Sequence, residues 1–360
     1  MQMFKNVLVS IVTLLGGLQG AAALAQDPVD TPVVPQTLLK LIHAPEVQEE
    51  LGLPPDDERL LVVLREIDGA WWRSRNLPQD KQRETVATLE TQLLNELQTL
   101  LKAEKLKRLR EIEVQSQGTR ALLRAGIADA VGLDSKQNEE LRKVFLETDN
   151  LARNLMENPK DRAVVERELT TARETEQRRL NELLTPAQRM SLVKLIGTPF
   201  DTASLKRIYP LAPELIDSGE WAGGQPTSLA EHRGKVVLIH FYAFQCHNCV
   251  ANFDHYNRWQ QTLASRGVTV IGIQTPETSA ERSAALVKKA AEEKGFQFPV
   301  LIDLQSQNWD AWSNTMWPTV YVVDKKGYIR YWWQGELNWQ GATGDKSIET
   351  LVDQLLAETP

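Results

Sequence analysis

The stretch GKVVLIHFYAFQCHNCV, residues 234–250, sets a run of aliphatic and aromatic side chains before two cysteines separated by two residues. They are the only two cysteines in 360 residues. A disulfide used as a staple contributes mainly by closing a loop in the unfolded chain, and so short a loop closes almost nothing. A buried strand feeding a helix at the first cysteine is a different matter. There the helix N–H groups favour a thiolate while a second sulfur waits within bonding reach. The pair reads as chemical, which makes Cys246 and Cys249 the candidate catalytic residues.

Outward from this stretch, β-branched and aromatic residues dominate from about Ile208 onward, and eight of the ten tryptophans lie at or after Trp221. KVVLIHFYA (235–243) predicts a buried strand and Cys246 to about Ala264 a helix. VTVIGIQT (268–275) predicts a second strand, followed by a helix over Ala280 to Lys294. PTVYVVD (318–324) and YIRYWWQG (328–335) predict a hairpin, and Ser347 to Ala357 a last helix. This order implies an α/β domain over 210–360, with a mixed central sheet and helices on both faces.

The preceding segment, 37–198, is rich in Leu, Glu, Arg, Lys and Gln with apolar residues at helical spacing, which predicts an all-α domain. It reads as two repeats of about eighty residues, LIHAPEVQEELGLPPDDERLLVVLREID aligning loosely with LLRAGIADAVGLDSKQNEELRKVFLETD. Each copy predicts a short helix, a Gly-Leu turn, two long helices and a shorter one. Asp56 and Asp134 or Ser135 are the expected N-caps. Trp71 and Trp72 are read as core. Linkers are expected at 26–36 and 199–209, and the composition break around Pro199 implies that a fragment from about Asp201 folds alone. Residues 1–25 carry Lys5, an apolar core from Val7 to Leu18 and Ala23-Leu24-Ala25, the pattern of a secretory signal. Export to the periplasm or another extracytoplasmic space is the expectation, with membrane contact only through this segment if it stays uncleaved. A net charge of −7 gives no reason to expect nucleic acid.

GKVVLIHFYAFQCHNC, the later WPTVYVVDKKGYIRYWWQGE and the order between them resemble the extracytoplasmic thioredoxin-like proteins of the TlpA/ResA group. The resemblance is greatest to the thioredoxin-like domain of DipZ proteins. It runs over roughly residues 210–357 and includes VIGIQTPE and FPVLID. It implies a thioredoxin fold and thiol-disulfide exchange, with no cofactor beyond a redox-active Cys246–Cys249 disulfide and no metal. Protein thiols or disulfides are the implied substrates, and a membrane protein of the DsbD/CcdA kind the implied electron donor. Cys246 matches the attacking thiol and Cys249 the resolving one. Pro318 matches the cis-proline facing the disulfide, and Trp317 the residue whose backbone meets an extended substrate. More weakly, LTPAQ at Leu184 to Gln188 resembles the repeat motif of Spy/CpxP helical envelope proteins, which bind unfolded chains.

Three other positions carry expectations. His240 stands where many thioredoxins have a buried carboxylate, either as a proton carrier for Cys249 or as a core histidine bonded to a neighbour. His247, if protonated, stabilises the Cys246 thiolate and makes the disulfide more oxidising; as a solvated neutral ring it does little. Phe244, with Trp317 and Trp332 or Trp333, puts aromatic surface near the thiols. Three rival readings stand beside exchange. A peroxidase of the AhpC/TSA type needs Pro-x-x-x-Thr-x-x-Cys, whereas Ala243 and Ile239 occupy the Thr and Pro positions. A zinc site would need adjacent Cys246 and His247 to converge on one ion with Cys249 and His240 or His255. A helical client-binding protein with a passive thioredoxin-like scaffold would need neither thiol.

Overall fold

Six strands form one mixed sheet: β1 Trp221–Gly223, β2 Val236–Tyr242, β3 Val268–Gln274, β4 Pro299–Ile302, β5 Thr319–Val323 and β6 Ile329–Gln334. Their spatial order is β1-β4-β3-β2-β5-β6. The computed structural model describes residues 32–54, 57–157 and 161–358, and the expected signal segment 1–25 lies outside them. None of the described helices is long and apolar enough to cross a membrane.

Strand β2 is buried along its whole length, as suits a β-branched and aromatic run at the centre of a sheet covered on both faces. It pairs parallel with β3 and antiparallel with β5. Side chains alternate across it. Val236, Leu238 and Tyr242 join a core with Cys249, Phe253, Tyr256 and Trp259. The helices Phe253–Leu263, Ala284–Glu293 and Gly344–Ala357 supply apolar side chains to this core. Val237, Ile239 and Phe241 join a second core with Trp312, Tyr321 and Trp72.

Trp72 belongs to the helix Glu58–Ser74, within the segment expected to be all-α. Its ring meets Trp332 edge-on at 5.1 Å and its indole N–H donates to the Trp312 carbonyl at 2.9 Å. Four residues earlier on the same helix, buried Asp68 accepts the Leu211 N–H at 2.8 Å. The described residues accordingly form two units. One takes Glu58–Leu89 with Tyr209 onward, the other takes the residues up to Asp57 with Glu90–Ile208. These are not the segments 37–198 and 210–360 drawn from composition, because residues 58–89 group with the sheet, to which Trp72 adds its ring. The core role read for Trp72 holds.

In the other unit, Asp134 and Gln137 cap the helix Ser135–Glu157 reciprocally, with bonds of 2.8 and 3.1 Å. Asp56, the other expected cap, lies outside the described residues. Within LTPAQ, Thr185 and Gln188 form a capping box on the helix Pro186–Ile196, and Gln188 also donates to the Gly132 carbonyl at 2.7 Å. Leu122, Val131, Leu141, Val144, Phe145, Leu180 and Leu184 fill the core beneath.

Candidate active site

The chain leaves β2 at Tyr242, turns at Ala243, whose carbonyl accepts the Cys246 N–H at 3.2 Å, and enters a one-turn helix, His247–Val250. The single helix expected from Cys246 to about Ala264 is two pieces, the second being Phe253–Leu263. Asn252 stands at the break. Its buried side chain accepts the Leu337 N–H at 2.9 Å and donates to the Gly335 carbonyl at 3.1 Å, and so ties the start of the second helix to the end of β6.

Cys246 is partly exposed and Cys249 is fully buried, and both are free thiols. Burial, then the hydrogen-bonded sulfur of Cys246, pushes the Cys249 thiol far above its ordinary range; a backbone hydrogen bond at Ala243 opposes this. The two sulfurs are therefore inequivalent. One meets solvent, and the other keeps its proton until its surroundings change.

Glu281, unmarked by any spacing in the sequence, proves to be fully buried beside this turn. Its carboxylate accepts the N–H groups of Gln245 at 2.7 Å, Glu277 at 2.8 Å and Thr278 at 2.8 Å. Thr278 also donates to the Gln245 side chain at 2.7 Å. The residue before the exposed thiol is thus held from two sides. Asn252 and Glu281 escape sequence reading because a buried hydrogen bond leaves no periodicity, and their neighbours look solvated.

His240 shares the cysteine face of β2, packed among aromatic rings. Its ring stacks on Tyr256 at 3.9 Å, with Phe298 edge-on at 5.2 Å, and neither ring nitrogen has a partner. Burial pushes its pKa down to about 3, so the imidazole is neutral at working pH. Of the two readings of His240 the core residue fits, although it is packed and not hydrogen-bonded. Its room comes from Gly272 on β3, where a Cβ would lie 3.1 Å from Nε2.

Phe244, Cys246 and Trp317 are partly buried against the same core. The Trp317–Pro318 bond is cis, and Trp317 stacks on Trp309 at 4.0 Å. His247 is exposed. Trp332 packs on the opposite core against Trp72, away from the thiols, whereas Trp333 lies on the cysteine side and donates to the Glu336 carbonyl at 3.2 Å. His255 is 3.8 Å from Asp345. Among the described residues no three His, Cys, Asp or Glu side chains gather as metal ligands would.

A mixed sheet with this dithiol at the end of its central parallel strand defines a thioredoxin-like domain. Residues 212–332 match the AhpC/TSA family, and the C-terminal part of the chain is a domain of that kind. Protein DipZ of Mycobacterium bovis is 37% identical over 149 residues, which are 40% of this chain and 20% of that protein. Thiol-disulfide oxidoreductase YkuV of Bacillus subtilis is 28% identical over 147 residues, 41% of this chain and 95% of its own length. A solved thioredoxin-like protein in the oxidised form matches 42% of this chain and 98% of itself at 27% identity, with a TM-score of 0.37. The chain spans about one-fifth of the length of DipZ.

Proposed function

We propose that the protein is an extracytoplasmic thiol-disulfide oxidoreductase that reduces protein disulfides through Cys246 and Cys249. The inequivalence of the two thiols carries this reading: a partly exposed attacking sulfur beside a buried one held protonated. The Cys246 thiolate attacks one sulfur of a substrate disulfide, forms a mixed disulfide and releases the other substrate sulfur as a thiolate. Cys249 then gives up its proton and attacks Cys246, which frees the second substrate sulfur. The protein ends as the Cys246–Cys249 disulfide and the substrate as two thiols. Electrons return from a membrane donor of the DsbD/CcdA kind. No cofactor takes part in this cycle.

Phe244 and Trp317 are assigned to the substrate, where their rings on the cysteine-side core favour a peptide over a small disulfide. The names of YkuV and similar proteins support the reaction class. The match to the AhpC/TSA family favours a peroxidase as the second reading, but Ala243 and Ile239 stand where that chemistry has Thr and Pro. The test is full-length Cys249→Ser expressed in its own cell envelope. Mixed disulfides joining Cys246 to envelope proteins are expected, absent from the double Cys-to-Ser variant. Hydrogen peroxide reacting with Cys246 faster than any peptide disulfide would replace this reading with the peroxidase.

A further inference from the structure

Between the helix Gln307–Ala311 and β5 the chain passes from one core to the other: Trp312 is buried with Trp72, and Trp317 packs against the core that also takes Cys246. The passage starts in an unfavourable conformation. Ser313 has φ of 52°, a left-handed backbone that costs a non-glycine residue on the order of 1 kcal/mol.

What holds it comes from more than two hundred residues earlier in the chain. Arg75 Nη2 donates to the Ser313 carbonyl at 2.7 Å, the Trp312 carbonyl at 3.1 Å and the Tyr321 hydroxyl at 3.4 Å. Its Nη1 donates to the Trp72 carbonyl at 2.9 Å and its guanidinium lies 3.8 Å over the Trp72 ring, so its own place is fixed. Asn76 donates to the Ser313 carbonyl and hydroxyl, both at 3.0 Å. The Tyr321 hydroxyl in turn donates to the Asn314 side chain at 2.8 Å, and Thr319 closes onto the Met316 carbonyl at 2.8 Å. The passage is thus held at Trp312, Ser313, Asn314 and Met316, and two of the anchoring residues lie outside the 212–332 stretch that matches the AhpC/TSA family.

We propose that Arg75, with Asn76, is a positioning residue for peptide exchange: it locks the turn at Trp312 and Ser313 so that Trp317 keeps one orientation on the core that carries Cys246. A planar guanidinium suits the task, since it serves several carbonyls from one fixed fork. The proposal rests on the reading that Trp317 touches the substrate. Neither Arg75 nor Asn76 touches a cysteine, so its effect is selective. A peptide that lies across Trp317 feels the loss, and a small disulfide that reaches only Cys246 does not.

The test compares rate constants of the reduced full-length protein with a cystine-bridged peptide of about ten residues and with bis(2-hydroxyethyl) disulfide. In Arg75→Ala the ratio of the peptide rate to the small-disulfide rate is expected to fall about tenfold, equivalent to about 1.4 kcal/mol. In Asn76→Ala it is expected to fall about threefold, and Arg75→Lys, which still reaches one carbonyl, recovers part of the ratio. An unchanged ratio in both alanine variants overturns the proposal, as do peptide and small-disulfide rates that fall in step. If Arg75→Ala does not fold, Asn76→Ala decides, because that side chain is exposed. If the wild type itself shows no preference for the peptide, the substrate reading fails and the positioning role fails with it; an intact wild-type preference with an unmoved ratio sinks the positioning role alone.

Discussion

His240 shows how far a single residue can be read from sequence. Its place on a buried strand before the cysteines was legible, but its protonation was not, because that depends on Tyr256, Phe298 and the gap left by Gly272. The pH consequence has a definite sign. The folded pKa of about 3 lies below the ordinary histidine value near 6.5, so the stability from keeping the ring neutral is complete above about 6.5 and is lost as pH falls towards 3. His240→Phe should therefore flatten the acid limb of unfolding followed by tryptophan fluorescence, with a gain of several kcal/mol near pH 4 as an order of magnitude. It should leave the pH dependence of the Cys246–Cys249 reaction alone. A shift in that dependence would return His240 to the role of proton carrier. The strand that leads into the two cysteines was legible, since its apolar run is local in the chain.

Among the elements, the helix Gln79–Leu100 carries a second pH-sensitive group in Glu90. Thr37 leaves the helix Leu38–His43 without a side-chain cap, and Glu90 accepts the Leu39 N–H at 3.2 Å in its place. Burial raises the Glu90 pKa to about 7, against the opposing pull of that hydrogen bond. Here the sign is reversed. Stability is complete below the ordinary carboxyl value of about 4.3 and falls as pH rises through 7. Helicity in the full chain should melt earlier at pH 8 than at pH 5, by on the order of 3 kcal/mol, and Glu90→Gln should remove most of that difference. Equal melting of wild type and variant at both pH values would contradict it. Most strands and helices could be placed from period and composition. The three-residue β1 and the break at Asn252 could not, because a short edge strand and a side-chain anchor have no repeating pattern.

For the whole molecule, the composition break near Pro199 marked a real change in sequence but not the boundary between units. The available signal is Trp71-Trp72 in a segment otherwise poor in aromatics, but a tryptophan pair alone does not name the core it joins. A fragment from Asp201 alone, expected from composition to fold and react, should instead be much less stable than one that also carries 58–89, because it lacks the ring that packs on Trp332 and Tyr321. Trp72→Ala in the full chain should cost about 3–5 kcal/mol, the usual range for emptying a large buried aromatic site. Thermal unfolding of the two fragments and the variant would check both. A fragment from Asp201 as stable as the longer one would show that Trp72 adds nothing.

The bond from Trp72 to Trp312 joins residues 240 positions apart, and a ribosome delivers them in that order. At roughly 5–20 residues per second the wait is on the order of ten to fifty seconds. During that time Glu90–Ile208 is already made and can fold with the residues up to Asp57, while the segment 58–89 holds Trp72 without its partners. Nascent chains released early would carry that exposed tryptophan face. A chaperone that samples emerging chains should hold this protein longest while residues 58–89 are out and β5 and β6 are not.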